Sequence, residues 1–385
     1  MGIMGTSKKL TASQQLTLDT ILRRPCKGIG ISWFNPMEWR MIDRLAGVPE
    51  GTYKKNPVET YLQMEIRSGV CMLDQWIPDN PLSMKSGGFD DSAARGATTG
   101  AKETVRDGMR IDSPEAVVEH MERFVFPMLE RDIAAFDPEA KLKEVLDYET
   151  RTQDLLGDAI LKTADQSPAM TFPSFKYDYY GYENYFTAYA LYPEVMERHF
   201  KLGADFALLH NLAGARAIVE GGLPPLIRTE CDMTDSRGTL VNIESLDRIW
   251  FPHFARCIRP IVDANINIIW HSDGNIMQMA PRLLESGIKG FQGFQYEDGV
   301  DYEKICKMNA KDGDSLLIVG GVSVTRTLPF GTPEDVRNEI RWLVDKGPKT
   351  GLFLGASSSI APGVPWENLQ TMVDGFWYYR EHGRE

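Results

Sequence analysis

The sequence predicts an α/β fold, a single (β/α)8 barrel with an N-terminal extension and a long helical insertion between its second and third strands. Three observations lead there. At 385 residues the chain has the length of one barrel with extensions. Short apolar runs bounded by turn residues alternate with helical stretches. Most of those runs are continuously apolar rather than alternating, which is how strands buried on both faces of a parallel sheet read.

The runs fall at 28–33, 70–76, 169–172, 226–230, 266–271, 290–295, 316–321 and 351–356. Between them, residues 194–212 and 246–263 carry apolar side chains at helical spacing. Thr332-Pro333-Glu334-Asp335 reads as a helix start, with a Thr cap, Pro in the first position and acids in the first turn. Its helix is expected to run to about Val344. Pro365-Trp366-Glu367 opens the last helix. Strand, helix, strand, repeated about eight times, points to a closed parallel barrel. A doubly wound open sheet is the alternative, but no Gly-x-Gly-x-x-Gly loop follows the first run. The interval after the second run is the anomaly. Residues 80–103 are rich in Gly, Ser and Ala and read as a loop over the barrel mouth. Residues 113–136, opened by Ser113-Pro114-Glu115, and 139–164 read as helices. The stretch from about 78 to 165 is thus an insertion, and residues 1–385 form one domain.

Composition narrows the function. A net charge of −12 argues against nucleic-acid binding, which needs a basic face, and against anionic membranes. No apolar run is long enough to span a bilayer, and no signal-peptide core opens the chain. Met1-Gly2 followed by Thr6 matches a loose myristoylation pattern of the kind that arises by chance. Five cysteines, Cys26, Cys71, Cys231, Cys257 and Cys306, form no Cys-x-x-Cys pair, and the odd count points to a reducing, cytoplasmic setting. Cys257 and Cys306 read as core residues, and His253 as a packing or surface residue.

Barrel enzymes carry their chemistry at the C-terminal ends of the strands. Polar residues gather at those ends here. The second run ends in Asp74, Gln75 and Trp76, and the fourth in Arg228, Thr229, Glu230, Cys231 and Asp232. The fifth ends in His271, Ser272, Asp273 and Gly274, and the eighth in Ser357, Ser358 and Ser359. Side chains two apart share a strand face, so His271 points with Asp273 and Glu230 with Asp232. An imidazole among carboxylates can hold a divalent metal, or run acid–base chemistry without one. After the third run, Phe172, Phe175 and Tyr177 precede a helix and, with Trp76, are expected to wall a substrate pocket. Gly320-Gly321, Arg326 and the serines occupy the last two loops, where barrels often bind phosphate.

A series of segments then carries a family resemblance. They are Gly181-Tyr182-Glu183, residues 230–238 with 242–254 behind them, Trp270-His271-Ser272-Asp273-Gly274-Asn275, residues 287–295, Gly320-Gly321-Val322, Gly331-Thr332-Pro333-Glu334-Asp335-Val336, and Ile360-Ala361-Pro362-Gly363-Val364-Pro365 with Glu367-Asn368. In this order they resemble the uroporphyrinogen decarboxylase superfamily, which includes corrinoid-dependent methyltransferases. The resemblance implies a (β/α)8 barrel.

Of its branches, the decarboxylases carry an Arg-rich segment after the first strand. This chain has Ser32-Trp33-Phe34-Asn35-Pro36-Met37-Glu38 there, although Asp74 stands at the place of their central Asp. The methyltransferase branch fits better. It implies a small-molecule methyl donor, a corrinoid on a separate partner protein, and a zinc ion acting as Lewis acid. Thiol-using members bind zinc through a His-x-Cys pair and a later Cys before the Ile-Ala-Pro. Here those places hold His271, Asp273 and Ser358. The remaining donors, His271, Asp273, Glu230 and Asp232, are hard, which suits an oxygen-bearing substrate, a methyl ether or alcohol. His271, Glu230, Asp273 and Asp74 are then the expected catalytic residues, with Trp76, Phe172, Phe175, Tyr177 and Ser358 around the substrate. Two other readings stay open: a decarboxylase centred on Asp74, and a non-catalytic barrel that binds a tetrapyrrole, a corrinoid or a metal.

Overall fold

The computed structural model describes residues 9–79 and 104–384. The predicted loop 80–103 and the Met1-Gly2 pattern lie outside the described residues. The parallel strands are β1 (Gly30–Ile31), β2 (Met72–Leu73), β3 (Leu161–Lys162), β4 (Leu226–Glu230), β5 (Asn267–His271), β6 (Gly290–Gln292), β7 (Leu317–Val322) and β8 (Leu352–Ala356). A six-stranded sheet runs in the order β1-β8-β7-β6-β5-β4, and β2 pairs with β3 in a second parallel sheet. Parallel bridges join the two sheets at both edges, Ser32 to Met72 on one side and Ala164 to Ile227 on the other. The parallel sheet therefore curls round on itself, with helices outside it.

Six of the eight predicted runs contain one of these strands, and 316–321 overlaps β7 up to its last residue. The third does not. Residues 166–169 form a helical turn and 170–176 are irregular, while β3 lies earlier, at Leu161–Lys162. The expected insertion to about 165 therefore overruns a strand of the sheet. The helix predicted over 139–164 is Pro138–Leu156, capped by Asp137. The apolar character of 169–172 has another cause. Phe172 packs edge-on against Phe254 at 5.5 Å and lies 5.4 Å from Trp270, in the layer between sheet and helices.

The helix Pro193–Gly221 matches and extends the predicted 194–212. The stretch 246–263 is two helices, Ile243–Ile249 and Phe251–Asp263, the second with Pro252 in its first turn. The Thr332 start is a full capping box. Asp335 N–H donates to Thr332 Oγ1 at 3.3 Å, and Thr332 N–H to Asp335 Oδ2 at 2.8 Å. The Ser113 hydroxyl likewise accepts from Ala116 N at 3.2 Å. Among the described residues, no helix is long and apolar enough to cross a membrane.

Two cores result from the period-two alternation of the strands. Outward-facing Ile227, Ile268, Trp270 and Ile318 join the large core under the helices. Inward-facing Met72, Leu226, Ile269, Leu317, Val319 and Phe353 form a separate small cluster, closed from below by Ile21 of the helix Ala12–Ile21. Two residues further along each strand, on the same inner face, stand Asp74, Arg228 and His271. The apolar plug thus ends where the polar cluster begins.

Candidate active site

Above the plug lies a cavity of about 230 Å³, lined by Trp33, Phe34, Asn35, Gln75, Ile77, Arg228, Glu230, His271, Gln292, Ala356, Ser358 and Ser359. Register sets the arrangement: Glu230 and Gln292 both pair with His271, from β4 and β6 on either side of β5. Gly293 is the neighbour that His271 requires. Its φ is +87°, and a Cβ there would lie 2.3 Å from His271 Nδ1, so only glycine lets the ring sit where it does.

The loops after β4 and β5 then bring carboxylates to the imidazole. His271 Nε2 is 3.8 Å from Asp273 Oδ1. Asp273 N–H donates to Asp232 Oδ1 at 2.9 Å, which ties the two loops together. Asp232, His271 and Asp273 each offer one ligand atom, and these atoms lie within 4.8 Å of one another. Burial raises the Asp273 carboxyl above its ordinary range. His271 and a hydrogen bond from Ser358 pull it back down, while Asp232 and Glu230 push it further up. Asp273 Oδ1 is buried without a hydrogen-bond partner.

Glu230 is placed differently from expectation. It lies outside the Asp232–His271–Asp273 group and accepts instead from Arg228 Nη1 at 3.1 Å. Arg228 Nε donates in turn to Asp74 Oδ2. Burial alone would lower the Arg228 pKa, but Asp74 and Glu230 outweigh it and hold the guanidinium above its ordinary value. Asp74 is 2% exposed and does not line the cavity; Arg228 stands between. Below Asp74, the Lys162 ammonium donates to the Asp74 carbonyl at 2.8 Å and pairs with Glu149 Oε2 at 2.8 Å. Both side chains are buried, and burial raises the Glu149 carboxyl first, with Lys162 opposing. The helix Pro138–Leu156 of the insertion is thereby fixed to the end of β2.

Of the residues expected around the substrate, only Ser358 lines the cavity. Phe172 is part of the core described above. Phe175 is buried among Tyr185, Phe186, Tyr189 and Phe200. Tyr177 packs on Tyr182 and Phe186, and its hydroxyl donates to the Asp232 carbonyl at 3.3 Å. Trp76 meets Tyr61 edge-on at 5.5 Å. The aromatic walls are Trp33 and Phe34 instead, at the end of β1. Cys231 lies outside the Asp232–His271–Asp273 group, and burial, then Asp232, pushes its thiol up to about 12. All five cysteines are free thiols, with Cys257 buried and Cys306 partly so. His253 sits at the surface side of its helix, 3.9 Å from Glu197.

Sequence reasoning missed Gln292, the Arg228–Asp74 pair and the Lys162–Glu149 pair. A usable signal existed for the first two. Arg228 and Gln292 each stand two residues past an inward-facing position of the plug or at its register partner, which puts them on the inner face.

Comparison with known proteins follows this geometry. Residues 190–376, which hold β4 to β8, match the family model described as Uroporphyrinogen decarboxylase (URO-D). The methylcobamide:CoM methyltransferase MtbA of Methanosarcina acetivorans is 26% identical over 170 residues, 44% of this chain and 46% of that protein. MtbA of Methanosarcina mazei is 26% identical over 176 residues, 46% of this chain and 48% of that protein. The chain thus spans about half the length of the curated relatives it matches. A solved structure of a methyltransferase from Methanosarcina mazei superposes with a TM-score of 0.55 at 15% identity, covering 96% of this chain and 99% of the other. That likeness establishes a shared fold. The chain resembles the uroporphyrinogen decarboxylase superfamily, as its motifs predict, with methyltransferases among its relatives.

Proposed function

We propose that the protein is a methyltransferase that takes a methyl group from a small oxygen-bearing substrate, a methyl ether or alcohol, and delivers it to a corrinoid held by a separate protein. We read its curled sheet as the (β/α)8 barrel of the superfamily, with an insertion after β2. The observation that carries the proposal is the convergence of His271, Asp232 and Asp273 beside one small cavity, with an acceptor, Asp273 Oδ1, left unpartnered.

The donor set of one imidazole nitrogen and two carboxylate oxygens fits a divalent cation, and three protein ligands leave a position for substrate. Asp232, His271 and Asp273 would hold that ion, zinc by family resemblance, and bound there it supplies Lewis-acid polarisation of the leaving oxygen. The protein's own groups do the rest. Trp33 and Phe34 wall the substrate and exclude water. His271, held by Gly293, fixes the position of the reacting oxygen. As a ligand Asp273 would be a carboxylate, so the proton for that oxygen comes from solvent as the product leaves. The C–O bond breaks, the oxygen keeps the electron pair and takes the proton, and the methyl group passes to the corrinoid acceptor. Glu230 and Arg228 keep the cavity floor ordered.

The decarboxylase reading needs Asp74 at the substrate, whereas its carboxylate is covered by Arg228. Five free thiols suit the reducing cytoplasm. The test is product analysis. The protein, incubated with reduced cobalamin and a panel of small methyl ethers and methanol, is expected to release the demethylated product of at least one ether or to consume methanol. No turnover across the panel, with decarboxylation of a pyrrole carboxylate instead, overturns the proposal.

A further inference from the structure

Of the two aromatic walls of the cavity, Trp33 has a polar edge and Phe34 has none. An indole N–H donates and cannot accept, so it needs an acceptor somewhere. Trp33 finds it behind the wall. Its Nε1 donates to the Tyr61 hydroxyl at 2.8 Å. The Arg228 guanidinium, which lines the cavity with it, stands 5.6 Å over the ring. Tyr61 is not among the lining residues; it is fully buried on the helix Pro57–Arg67. Burial, then Glu65, raises the Tyr61 pKa well above its ordinary 10, so the group that accepts from Trp33 is a neutral hydroxyl. Trp76 meets the Tyr61 ring edge-on at 5.5 Å. The residue expected against the substrate thus braces the residue that holds the wall.

The geometry points to Tyr61 as a positioning residue: its hydroxyl holds Trp33 with the indole N–H turned away from the cavity, so that the wall meets the substrate as a preset ring. Without that bond the N–H has other acceptors to turn toward, since Glu230 and Gln292 line the same cavity. An indole drawn to either would take up part of a space of only about 230 Å³. A wall that must be ordered when substrate binds also costs affinity that a preset one does not. The inference rests on the reading of this cavity as the reaction site, and adds to it a residue that touches no substrate.

The test uses protein produced with 5-fluorotryptophan, in which Trp33→Phe identifies the Trp33 line among the eight of the fluorine spectrum. Tyr61→Phe keeps the ring against Trp76 and removes only the hydroxyl; a thermal melt checks that it folds. In Tyr61→Phe the Trp33 line is expected to split or broaden, with the lines other than those of Trp33 and Trp76 in place. A Trp33 line unchanged in position and width overturns the inference. So does rapid solvent exchange of the Trp33 indole proton in the wild type, a measurement that needs no Tyr61 variant. In the methyl-ether assay above, Tyr61→Phe should raise KM about three- to tenfold, move kcat by less than about twofold, and add nothing in the Trp33→Phe background. Additive effects of the two substitutions would leave Tyr61 a structural role only and overturn the inference. A Trp33 line that responds as expected, with no ether turned over, supports the hold of Tyr61 on Trp33 and overturns the ether reading instead.

Discussion

Replacing Arg228 by Met isolates the role of Asp74. Met fills much of the volume of the Arg stem and removes the guanidinium. What remains is a carboxylate at 2% exposure whose Oδ1 already has no partner, and whose Oδ2 now loses its only one. Removing one member of a buried ion pair costs about 3–5 kcal/mol, chiefly through the charge left behind. Glu230 contributes little to that loss, because its side chain is 48% exposed and rehydrates. The folded-to-unfolded ratio is therefore expected to fall by a factor of about 10² to 10⁴. In urea denaturation the midpoint moves down with an unchanged slope. The informative variant is the double one, Arg228→Met with Asp74→Asn, which removes the stranded charge. It should be more stable than Arg228→Met alone, with a coupling energy of about 2 kcal/mol or more in the double-mutant cycle, at the upper end of what contacting pairs show. Additive effects would refute the view that Asp74 serves as the counter-ion of Arg228.

Other expectations follow from the same geometry. Gly293→Ala forces a left-handed backbone and a Cβ into the His271 ring, at a cost of about 2–4 kcal/mol, and displaces the imidazole; turnover should fall with it, and turnover at the wild-type level would contradict the placement of His271. Glu149→Gln leaves the Lys162 ammonium buried without its counter-charge and is expected to cost about 3 kcal/mol in thermal or urea unfolding, against a near-neutral effect if the pair is dispensable. Glu65 is fully buried, and burial, with Tyr61 and the Phe34 backbone opposing, lifts its carboxyl well above the ordinary 4.5. The folded state therefore binds that proton more tightly than the unfolded chain does. Its contribution to stability is complete below pH 4.5 and declines as pH rises toward the folded value. Glu65→Gln keeps the neutral shape, so its stability should fall less than that of the wild type between pH 5 and pH 8; parallel declines would count against a protonated Glu65.

How much of this could be read from sequence depends on what buries each residue. β4, β5, β7 and β8 are long apolar runs, and their positions follow from apolarity alone. Their polar ends follow too, since the inner face turns polar two residues beyond Leu226 and Ile269. β3 is hidden because it is two residues long and one of them is Lys162. That charge is buried only because Glu149, on a helix of the insertion, neutralises it, and no local pattern records such a partner. The aromatic residues Phe172 and Phe175 mislead for the opposite reason. Their loop turns inward, beneath the helices Tyr182–Leu191 and Phe251–Asp263, so apolar character there reports packing rather than a substrate wall. Trp33 and Phe34, which do wall the cavity, belong to a segment whose sequence stood out mainly for lacking arginines. The pairing of Arg228 with Asp74 joins β4 to β2 across the inside of the curled sheet, a contact that becomes visible only once the strands are placed.

The most direct test of methyl transfer at this site is the absorbance change of cob(I)alamin on methylation, followed with 2-methoxyphenol for the wild type and for His271→Ala. The expected result is conversion to methylcobalamin with the wild type, and loss of at least 10²-fold in rate with His271→Ala, of the size that removal of a group acting on the transition state produces. Equal rates for the two proteins, each confirmed folded, would contradict the assignment of the chemistry to His271 and its two aspartates.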